Sequence, residues 1–529
     1  MSEPIFMSDL FEQRAAELGD APYVLFEDGA VSFAAFNRRT RQVANGLAAL
    51  GARPGEGVAA MMGNCPEYLE LLNGLQRGGY YGVPVNIALK GDGLRYILTH
   101  SDASVLVMDD VFLPEVHALG SPVGRIRSVL VRRTGGAPQP LSGDLIDLAT
   151  LWEAPDDPPE HRQETGAMAM LMYTSGTTGF PKAVVNRVRP GGPQGIRALS
   201  SLWVKPDDVL FTCLPLFHAN ALSLTAAPAM VWGIPFGLEK RFSASRFWEP
   251  IRRWGVTSFN ALGAMIPILM KQPERPDDAD NPVRLVLSAA CPKTLWRAFE
   301  KRFGVEIMEA YGAVDGGGVM IFNRGDAPVG SVGKLPPTTE WKLVGDNDSE
   351  VPPGVVGELV TRAPQGAGPV VEYYKNPEAS AAKVRSGWIR SGDLFTADEE
   401  GHLFFVDRKT DSIRRRGENI SSWEVESGIE KHPDVAECVA FGVPSELGED
   451  EVMVLVVPRQ GSGLVPEEII RHAAEHLAYF MVPRYVELVG EVARTGTHRA
   501  QKAELKKRGV TATTWDREKE MADLVLRKA

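Results

Sequence analysis

The segment Leu171–Lys182, LMYTSGTTGFPK, combines the residue types that bind phosphate. Its glycines let backbone N–H groups converge on an anion, its hydroxyls add donors, and its lysine adds positive charge. No Lys-Ser or Lys-Thr pair directly follows the second glycine, so the spacing differs from a Walker loop and a P-loop NTPase is not indicated. A flexible Ser/Gly turn is the alternative. The candidate phosphate contacts are Thr174, Ser175, Gly176, Thr177, Thr178, Gly179 and Lys182.

Five further segments accompany this loop in a fixed order. They are NCPEYLELLNGLQRGGYYGVPVN (64–86), PLFHANAL (215–222), GELVTRAP with YYKNPEAS (357–380), GWIRSGDL (387–394) and DRKTDSIRRRGENISSWEVE (407–426). Together the six motifs resemble the adenylate-forming superfamily, which comprises acyl-CoA ligases, peptide-synthetase adenylation domains and firefly luciferase. The resemblance extends over nearly the whole chain.

The resemblance implies two half-reactions. A carboxylate attacks the α-phosphate of ATP to give acyl-AMP and pyrophosphate, and the thiol of CoA then attacks the acyl-adenylate after a small domain has rotated. The implied cofactors are ATP or acyl-AMP, CoA and Mg²⁺. The implied fold is α/β, with a large N-terminal domain of stacked sheets flanked by helices and a small mobile α+β C-terminal domain. We place the boundary after Arg408, which gives domains 1–408 and 409–529.

The resemblance also implies nucleotide contacts at single positions. Asp393 matches the aspartate that binds the ribose hydroxyls, and a short carboxylate in a turn after a strand suits that role. Arg408 matches an arginine on the nucleotide, with a surface ion pair as the alternative. Tyr311, followed by Gly312, matches the tyrosine that stacks on adenine; without this context an aromatic at a strand end is more often a core residue.

The second half-reaction has its own candidate residues. Gly417 matches the loop that approaches the pantetheine arm, where glycine permits close backbone contact. Its neighbours Arg414, Arg415 and Arg416 are candidate cations for the CoA phosphates, and a solvated strand edge is the alternative. Thr410 stands at the hinge position, where Asp or Lys is usual. Because a hinge needs backbone freedom more than a particular charge, we expect rotation to persist.

Three departures from the family pattern fall on the adenylation half-reaction. Arg499 stands where the family has its catalytic lysine, and His498 where it has glycine. Val314 replaces the threonine that would contact the α-phosphate. Asp315 is a shortened version of the glutamate that binds the metal, so it reaches less far. We therefore hypothesise slow formation of acyl-AMP and intact conversion of supplied acyl-AMP to acyl-CoA. Lys502 could restore ordinary two-step chemistry if a loop shift let it reach the site.

The acyl pocket is expected at Asn260–Gly263, Ser288–Cys291 and Gly316–Gly318. Consecutive glycines remove side-chain volume where the acid should lie, which favours a bulky acid; a mobile turn is the alternative. The candidate lining residues are His218, Asn260, Gly263, Ala289, Ala290, Gly316 and Gly317. The expected partners are a carboxylic acid or its adenylate, CoA and, for the thioesterification-only hypothesis, an adenylating enzyme. A carrier-protein thiol in place of CoA and a degenerate nucleotide-binding protein remain open alternatives.

Alternating patterns predict the elements that position these residues. Helical spacing at 67–77, 94–100, 245–254 and 293–303 is followed each time by a short apolar run. This alternation indicates α/β layering with largely parallel strands. After Gly354 the sequence pattern becomes typical of β-strands and turns, and predicted strands at 435–443 and 452–457 precede a predicted helix at 466–477. A last helix is predicted near Asp516–Leu526.

Composition sets the class of protein. The chain has 529 residues, 44% hydrophobic and 24% charged, with a formal net charge of −11, which argues against nucleic-acid binding. The four cysteines are far apart and predict buried thiols, with neither disulfides nor a zinc site. The apolar run 221–238 contains Pro and Gly, so we expect a buried helix and strand and no membrane span. The N-terminal residues indicate no signal peptide, and we expect a cytoplasmic monomer or homodimer.

Overall fold

The structure of the chain is a computed structural model. It describes residues 5–87, 89, 91–120, 123–135, 145–161, 164–174, 181–262, 265–316, 318, 320–362, 371–409, 413–415, 418–420, 422–445, 450–477, 481–494 and 500–524. The described residues form two compact units. The first takes its residues from 5–336 and 371–385, and the second from 337–362 and 386–524. The domain boundary after residue 408 stays a prediction.

The first unit contains two large sheets and their helices. Its strands are β1 (Pro22–Phe26), β2 (Gly29–Ser32), β3 (Gly57–Met61), β4 (Tyr81–Pro84), β5 (Ala103–Asp109), β6 (Ser128–Arg132), β7 (Leu145–Asp147), β8 (Met168–Thr174), β9 (Lys182–Arg187), β10 (Leu210–Thr212), β11 (Phe236–Leu238), β12 (Ser258–Leu262), β13 (Leu285–Ala289), β14 (Glu306–Gly312) and β15 (Met320–Asn323). Its helices up to β14 are α1 (Met7–Leu18), α2 (Phe33–Ala49), α3 (Pro66–Arg77), α4 (Gly91–His100), α5 (Leu113–His117), α6 (Gly192–Ser200), α7 (Ala219–Ala221), α8 (Ala227–Trp232), α9 (Trp248–Arg253), α10 (Met265–Met270) and α11 (Trp296–Phe303).

The remaining elements follow in chain order. They are β16 (Glu340–Val344), β17 (Gly357–Arg362), α12 (Pro377–Lys383), β18 (Val384–Arg385), β19 (Trp388–Ala397), β20 (Leu403–Arg408), β21 (Ile413–Arg415), β22 (Glu418–Ile420), α13 (Ser422–Ile429), β23 (Val435–Pro444), β24 (Asp450–Pro458), α14 (Pro466–His476), β25 (Tyr485–Leu488), α15 (Lys502–Arg508), β26 (Trp515–Asp516) and α16 (Arg517–Glu520). Helix α12 and strand β18 belong to the first unit.

Both sheets of the first unit are mostly parallel, as the alternating sequence pattern predicts. One has the order β15-β14-β13-β12-β10-β11-β1-β2 and the other β7-β6-β5-β3-β4-β8-β9. Among the described strands of these sheets, three of the four end pairs, β1–β2, β14–β15 and β8–β9, are antiparallel, and the other pairs are parallel. Each of the four predicted helix-then-strand pairs is found, and the apolar run 221–238 forms buried helical turns followed by β11.

Strand alternation explains how the seven-stranded sheet is buried on both faces. In β3, Val58 and Ala60 belong to one apolar cluster, whereas Ala59 and Met61 belong to another. Since successive side chains point to opposite faces of a sheet, these two clusters lie on its two sides. The first cluster also includes residues of the eight-stranded sheet, so it forms the core shared by the stacked sheets.

The second unit has its own sheets, in which the pairs are antiparallel except β24–β25, which is parallel. Strands β16, β17, β19 and β20 pair in that order, and β23-β24-β25-β26 form a separate sheet. The predicted C-terminal helix is corrected: Trp515 and Asp516 pair with β25, and only four helical residues follow. The Asp516 side chain caps that short helix by accepting the N–H of Glu518, and Met521 leaves the helical conformation at φ −130°.

All four cysteines are buried, as predicted, and all four are free thiols. Among the helices of the described residues, none combines the length and apolar character needed to cross a membrane.

Candidate active site

The β8–β9 hairpin carries the predicted phosphate loop. Thr174 ends β8 directly opposite Lys182, which begins β9, and the Thr174 hydroxyl donates to the Lys182 carbonyl oxygen at 3.2 Å. The antiparallel ladder therefore sets a hydroxyl and an ammonium at the two ends of one loop, an arrangement that suits an anion. The other predicted phosphate contacts, Ser175, Gly176, Thr177, Thr178 and Gly179, lie outside the described residues.

Tyr373 links this hairpin to Asp315. The segment before α12 lies along β9: Val184 and Tyr373 form an antiparallel bridge, and Tyr374 N–H donates to the Ala183 carbonyl oxygen at 2.8 Å. The Lys182 ammonium lies over the Tyr373 ring, 5.3 Å from its centre. The Tyr373 hydroxyl donates to Asp315 Oδ2 at 2.6 Å, so backbone pairing fixes a contact between β9 and the turn after β14.

Asp315, the candidate metal-binding residue, is engaged by two donors of the first unit. The oxygen that accepts from Tyr373 is also 2.9 Å from the Lys383 ammonium, so the carboxylate is already neutralised. Burial and the neighbouring carboxylate both raise the pKa of Tyr373, which keeps this phenol protonated as a donor. Within the described part of the chain, no group of three His, Cys, Asp or Glu side chains could hold a metal ion.

The last two residues of β14 are the candidate adenine contacts. Tyr311 and Gly312 end β14, where they pair antiparallel with Ile321 and Met320. Tyr311 is half-buried, and strand pairing fixes its backbone at the end of the sheet. Val314 is 40% exposed, so an apolar side chain stands on the surface where the family has a threonine hydroxyl.

Asn260 anchors one wall of the candidate acyl pocket. This buried residue of β12 donates from its amide to Thr225 Oγ1 at 2.7 Å and to Asn220 Oδ1 at 3.1 Å. Thr225 belongs to a π-helical stretch, Leu222–Ala226, between α7 and α8. Such a widened turn frequently marks a functional site. His218 precedes α7 and contacts Phe217, with 4.6 Å between the ring centres.

The loop after β13 is held by Glu309, a residue that was not among the predicted site residues. Ala289 ends β13, and Ala290 has a φ of +69°, a left-handed conformation that is unfavourable for alanine. Glu309 in β14 accepts the N–H of Ala290, and its Oε2 accepts the N–H of Cys291 at 3.2 Å. Burial raises the pKa of Glu309 to about 7, although these backbone donors act in the opposite direction.

Glycines line the third predicted wall only in part. Gly318 has a φ of +82°, so the backbone there needs glycine, and no atom lies within 4 Å of the place of a Cβ. At Gly316 a Cβ would come within 3.1 Å of the Ala313 carbonyl oxygen. Gly263 and Gly317 lie outside the described residues.

In the second unit, Asp393 and Arg408 face each other in register on β19 and β20. The predicted turn at Asp393 is corrected, because β19 continues through it as far as Ala397. Gly392, at φ +78°, and a register shift between Leu394 and Phe395 make this part of the strand irregular. Asp393 is 8% exposed and so has few rotamers available. The side chain of Arg408 is not among the parts of the chain that the structure describes.

Arg415 does not fit the predicted contact with CoA. Its guanidinium is buried, 2.7 Å from a buried Glu451 carboxylate, and donates to the Val482 carbonyl oxygen at 3.0 Å. Because the Arg415 guanidinium is buried and paired with Glu451, it is not exposed to bind a phosphate of CoA. The side chain of Arg414 and the residues Thr410, Arg416, Gly417, His498 and Arg499 lie outside the described part of the chain.

Lys502, the alternative to Arg499, is engaged elsewhere in the second unit. Its ammonium is 2.9 Å from Glu426 Oε1 and also donates to the Ser422 hydroxyl. The side chain is 17% exposed. Reaching a substrate would therefore require breaking an ion pair and a hydrogen bond at once.

The first unit thus combines an α/β fold with a hairpin that places the Thr174 hydroxyl and the Lys182 side chain at the two ends of one loop. The description "AMP-binding enzyme" belongs to the family model that matches residues 11–369, and the model of the AMP-binding enzyme C-terminal domain matches residues 424–499. The first match covers more than half of the chain. The chain therefore belongs to the AMP-binding enzymes, within the acyl-CoA ligase branch of the adenylate-forming superfamily, as the motifs predict.

Curated and solved relatives agree with this assignment. The crotonobetaine/carnitine–CoA ligase of Salmonella paratyphi C is 30% identical over 521 residues, which is 94% of this chain and 98% of the relative. The o-succinylbenzoate CoA synthetase of Bacillus subtilis, solved with ATP and a magnesium ion, is 26% identical with a TM-score of 0.79, covering 94% and 99% of the two chains. An anthranilate CoA ligase solved with anthranoyl-AMP shares the fold at a TM-score of 0.82, with 24% identity and 99% of both chains covered.

The chain is therefore an acid–thiol ligase of the AMP-forming acyl-CoA synthetase kind. ATP, CoA and Mg²⁺ are the general kind of cofactors for such enzymes, and a carboxylic acid is the general kind of substrate.

Proposed function

We propose that this enzyme mainly converts a supplied acyl-adenylate and CoA into acyl-CoA, and that it forms acyl-AMP from acid and ATP only slowly. In the favoured step the CoA sulfur attacks the acyl carbonyl carbon and the bond from that carbon to the phosphate oxygen breaks. AMP leaves and the thiol proton goes to solvent. A partner enzyme that adenylates the acid would supply the substrate.

The state of Asp315 carries this proposal. Its carboxylate is bound by Tyr373 and Lys383, whereas adenylation in this family uses a longer carboxylate at this position for the metal. Val314 provides no hydroxyl, and losing one donor to a charged group costs about 1.5–3 kcal/mol. Together these two positions weaken support for the phosphates during adenylation.

The third support is Arg499, where the family has a catalytic lysine. A guanidinium is a wide planar fork and an ammonium is a compact point charge, so the exchange is not conservative at a tight site. A misplacement of about 1 Å can cost about a hundredfold in rate. The engagement of Lys502 with Glu426 favours this interpretation over one in which Lys502 replaces the missing lysine.

The acid that we propose is bulky. Gly318, in the turn after β14, leaves the space of a side chain free, and o-succinylbenzoate, in the name of a relative that is 26% identical, is an aromatic acid. A panel of acyl-sulfamoyl adenosines with aromatic and linear acyl groups would rank the acids by dissociation constant. Tighter binding of the linear compounds would contradict this assignment.

The test compares the two half-reactions in the wild-type enzyme. Acid, ATP and Mg²⁺ should release pyrophosphate slowly, whereas synthetic acyl-adenylate with CoA should give thioester rapidly. A parallel reaction with a phosphopantetheinylated carrier protein tests the carrier alternative, which predicts acyl transfer there and none to CoA. Pyrophosphate release as fast as thioester formation would refute the proposal.

Arg499→Lys supplies the matched gain-of-function test. It should raise the rate of adenylation by at least about tenfold, and adding Val314→Thr and Asp315→Glu should raise it further, because each restores a contact worth about 1 kcal/mol or more. Lys502→Met is the control and should leave the adenylation rate unchanged. If Lys502→Met abolishes adenylation instead, Lys502 is the catalytic lysine and the proposal is wrong.

A further inference from the structure

Lys383 provides a positive charge at Asp315 from within the chain. It is the last residue of α12, and its ammonium lies 2.9 Å from Asp315 Oδ2. The Lys383 and Asp315 side chains are 12% and 20% exposed, so solvent screens this pair less than a surface pair. The same carboxylate oxygen accepts the Tyr373 hydroxyl at 2.6 Å.

The segment that carries Lys383 is fixed by backbone pairing. The Val185 N–H donates to the Glu372 carbonyl oxygen at 2.9 Å, next to the bridge between Val184 and Tyr373. Asn376 then caps α12, with its side chain accepting the Ala379 N–H at 2.9 Å. The backbone pairing and the capped helix α12 therefore position the Lys383 ammonium beside Asp315.

A divalent cation would meet a cost at this position. To coordinate Asp315 directly, Mg²⁺ would have to displace an ammonium and a phenol from Oδ2, or bind the other oxygen of a carboxylate that is already paired with an ammonium, while keeping near-ideal octahedral geometry. The charges present already favour an anion, since the Lys182 ammonium also lies over the Tyr373 ring, 5.3 Å from its centre. Two ammonium groups and one carboxylate leave a net charge of about +1 around Tyr373.

From this arrangement we propose that Lys383 is a nucleotide-binding residue that supplies, at Asp315, charge that a metal ion supplies in related enzymes. The inference rests on the proposed function, because it assumes that a nucleotide phosphate lies beside Lys182 and Asp315. If Lys383 supplies this charge, nucleotide binding by this enzyme is largely independent of divalent metal. It also explains why a shortened carboxylate is tolerated at position 315, since Asp315 holds Lys383 in place.

The experiment measures nucleotide affinity with and without metal. The probe is α,β-methylene-ATP, whose bridging carbon prevents adenylation, titrated calorimetrically into the full-length protein in EDTA and in Mg²⁺. The measured quantity is the association constant in Mg²⁺ divided by the association constant in EDTA. A general loss of folded protein affects both constants equally and cancels in this ratio. The wild-type ratio should be near one. Lys383→Met should bind about tenfold less tightly in EDTA and regain affinity in Mg²⁺, raising the ratio about tenfold.

Two further variants sharpen the result. Lys383→Gln removes the charge and keeps a donor, so it should shift the ratio as Lys383→Met does. Lys375→Met is the matched control, because it removes a lysine of the same segment whose partner is Asp102, at 2.6 Å. Its ratio should equal that of the wild type. Adding Asp315→Asn to Lys383→Met should abolish the gain from Mg²⁺, because the freed carboxylate is what recruits the metal.

The outcomes separate this inference from the proposed function. The role of Lys383 is overturned if the wild type and Lys383→Met have the same ratio. This holds whether the shared ratio is high or near one. If those results accompany thioester formation from synthetic acyl-adenylate and CoA, the proposed function stands and only the inference fails. If no nucleotide binds in either buffer and no thioester forms, both fail.

Discussion

Glu309 should make the stability of the enzyme depend on pH in a way that one isosteric substitution removes. In the unfolded chain its carboxyl loses the proton near the ordinary value of 4.5, whereas burial raises the pKa in the folded protein to about 7. Between these values the folded state binds more protons than the unfolded state. The stability that this carboxyl contributes is therefore greatest at low pH, falls as pH rises, and is constant above about pH 7.

The size of this effect follows from the two pKa values. At about 1.4 kcal/mol per pH unit, the difference between 4.5 and about 7 corresponds to a loss of about 3 kcal/mol on going from pH 4 to pH 8. Glu309→Gln keeps an oxygen to accept the N–H groups of Ala290 and Cys291 but cannot titrate. Relative to the wild type, the variant should gain about 2–3 kcal/mol of stability between pH 5 and pH 8.

The assay is scanning calorimetry of the full-length proteins at pH 5.0 and pH 8.0. The Tm of Glu309→Gln minus that of the wild type should rise by several degrees, since about 1 kcal/mol shifts Tm by about 2–4 °C in domains of about 150–250 residues. Glu306→Gln is the control, an exposed carboxylate on the same strand, and its Tm difference should not change with pH. A Tm difference for Glu309→Gln that is equal at both pH values would mean that folding does not raise the pKa of Glu309.

Further outcomes follow from single contacts. Arg415→Met should destabilise the second unit by about 3–5 kcal/mol, because it leaves the Glu451 charge buried and unpaired, and the double variant Arg415→Met/Glu451→Leu should recover most of this loss in calorimetry. If Arg415→Met instead leaves Tm unchanged and raises the KM for CoA, the original CoA assignment is right. Asp393→Ala should weaken AMP binding by at least about tenfold by calorimetric titration, since a hydrogen bond to a charged group contributes about 1.5–3 kcal/mol. Unchanged AMP affinity would remove Asp393 from the nucleotide site.

Local patterns predicted the frame of the molecule well. The alternation of helical and apolar segments predicted largely parallel sheets, and all four predicted helix-then-strand pairs are present. These features depend on residues that are neighbours in the chain. The motif order then identified the family, which the comparisons confirm.

The contacts around Asp315 could not be predicted in the same way. Tyr373 and Lys383 contact this carboxylate from 58 and 68 positions further along the sequence. The residues near Asp315 form no pattern that predicts these contacts. Arg415 lies in a run of three arginines that looks like a surface patch, yet tertiary packing buries it against Glu451. Glu309 did carry a signal: a charged residue among Ile307, Met308 and Ala310 in a buried strand needs partners.

The C-terminal helix illustrates a different limit. The segment after Thr514 is rich in charged helix formers, so propensity favours a helix from Asp516 onward. Pairing of Trp515 and Asp516 with β25 takes the first residues into a sheet, and the helix ends four residues later. Long-range pairing overrides local propensity here because it satisfies backbone groups that a helix start would leave without partners.

The most direct measurement is product formation from a synthetic aromatic acyl-adenylate and CoA, with EDTA present and ATP absent, followed as acyl-CoA and AMP. The two products should appear together, in equal amounts and over many turnovers per enzyme molecule. Acyl-CoA that appears no faster than in an enzyme-free control would contradict it.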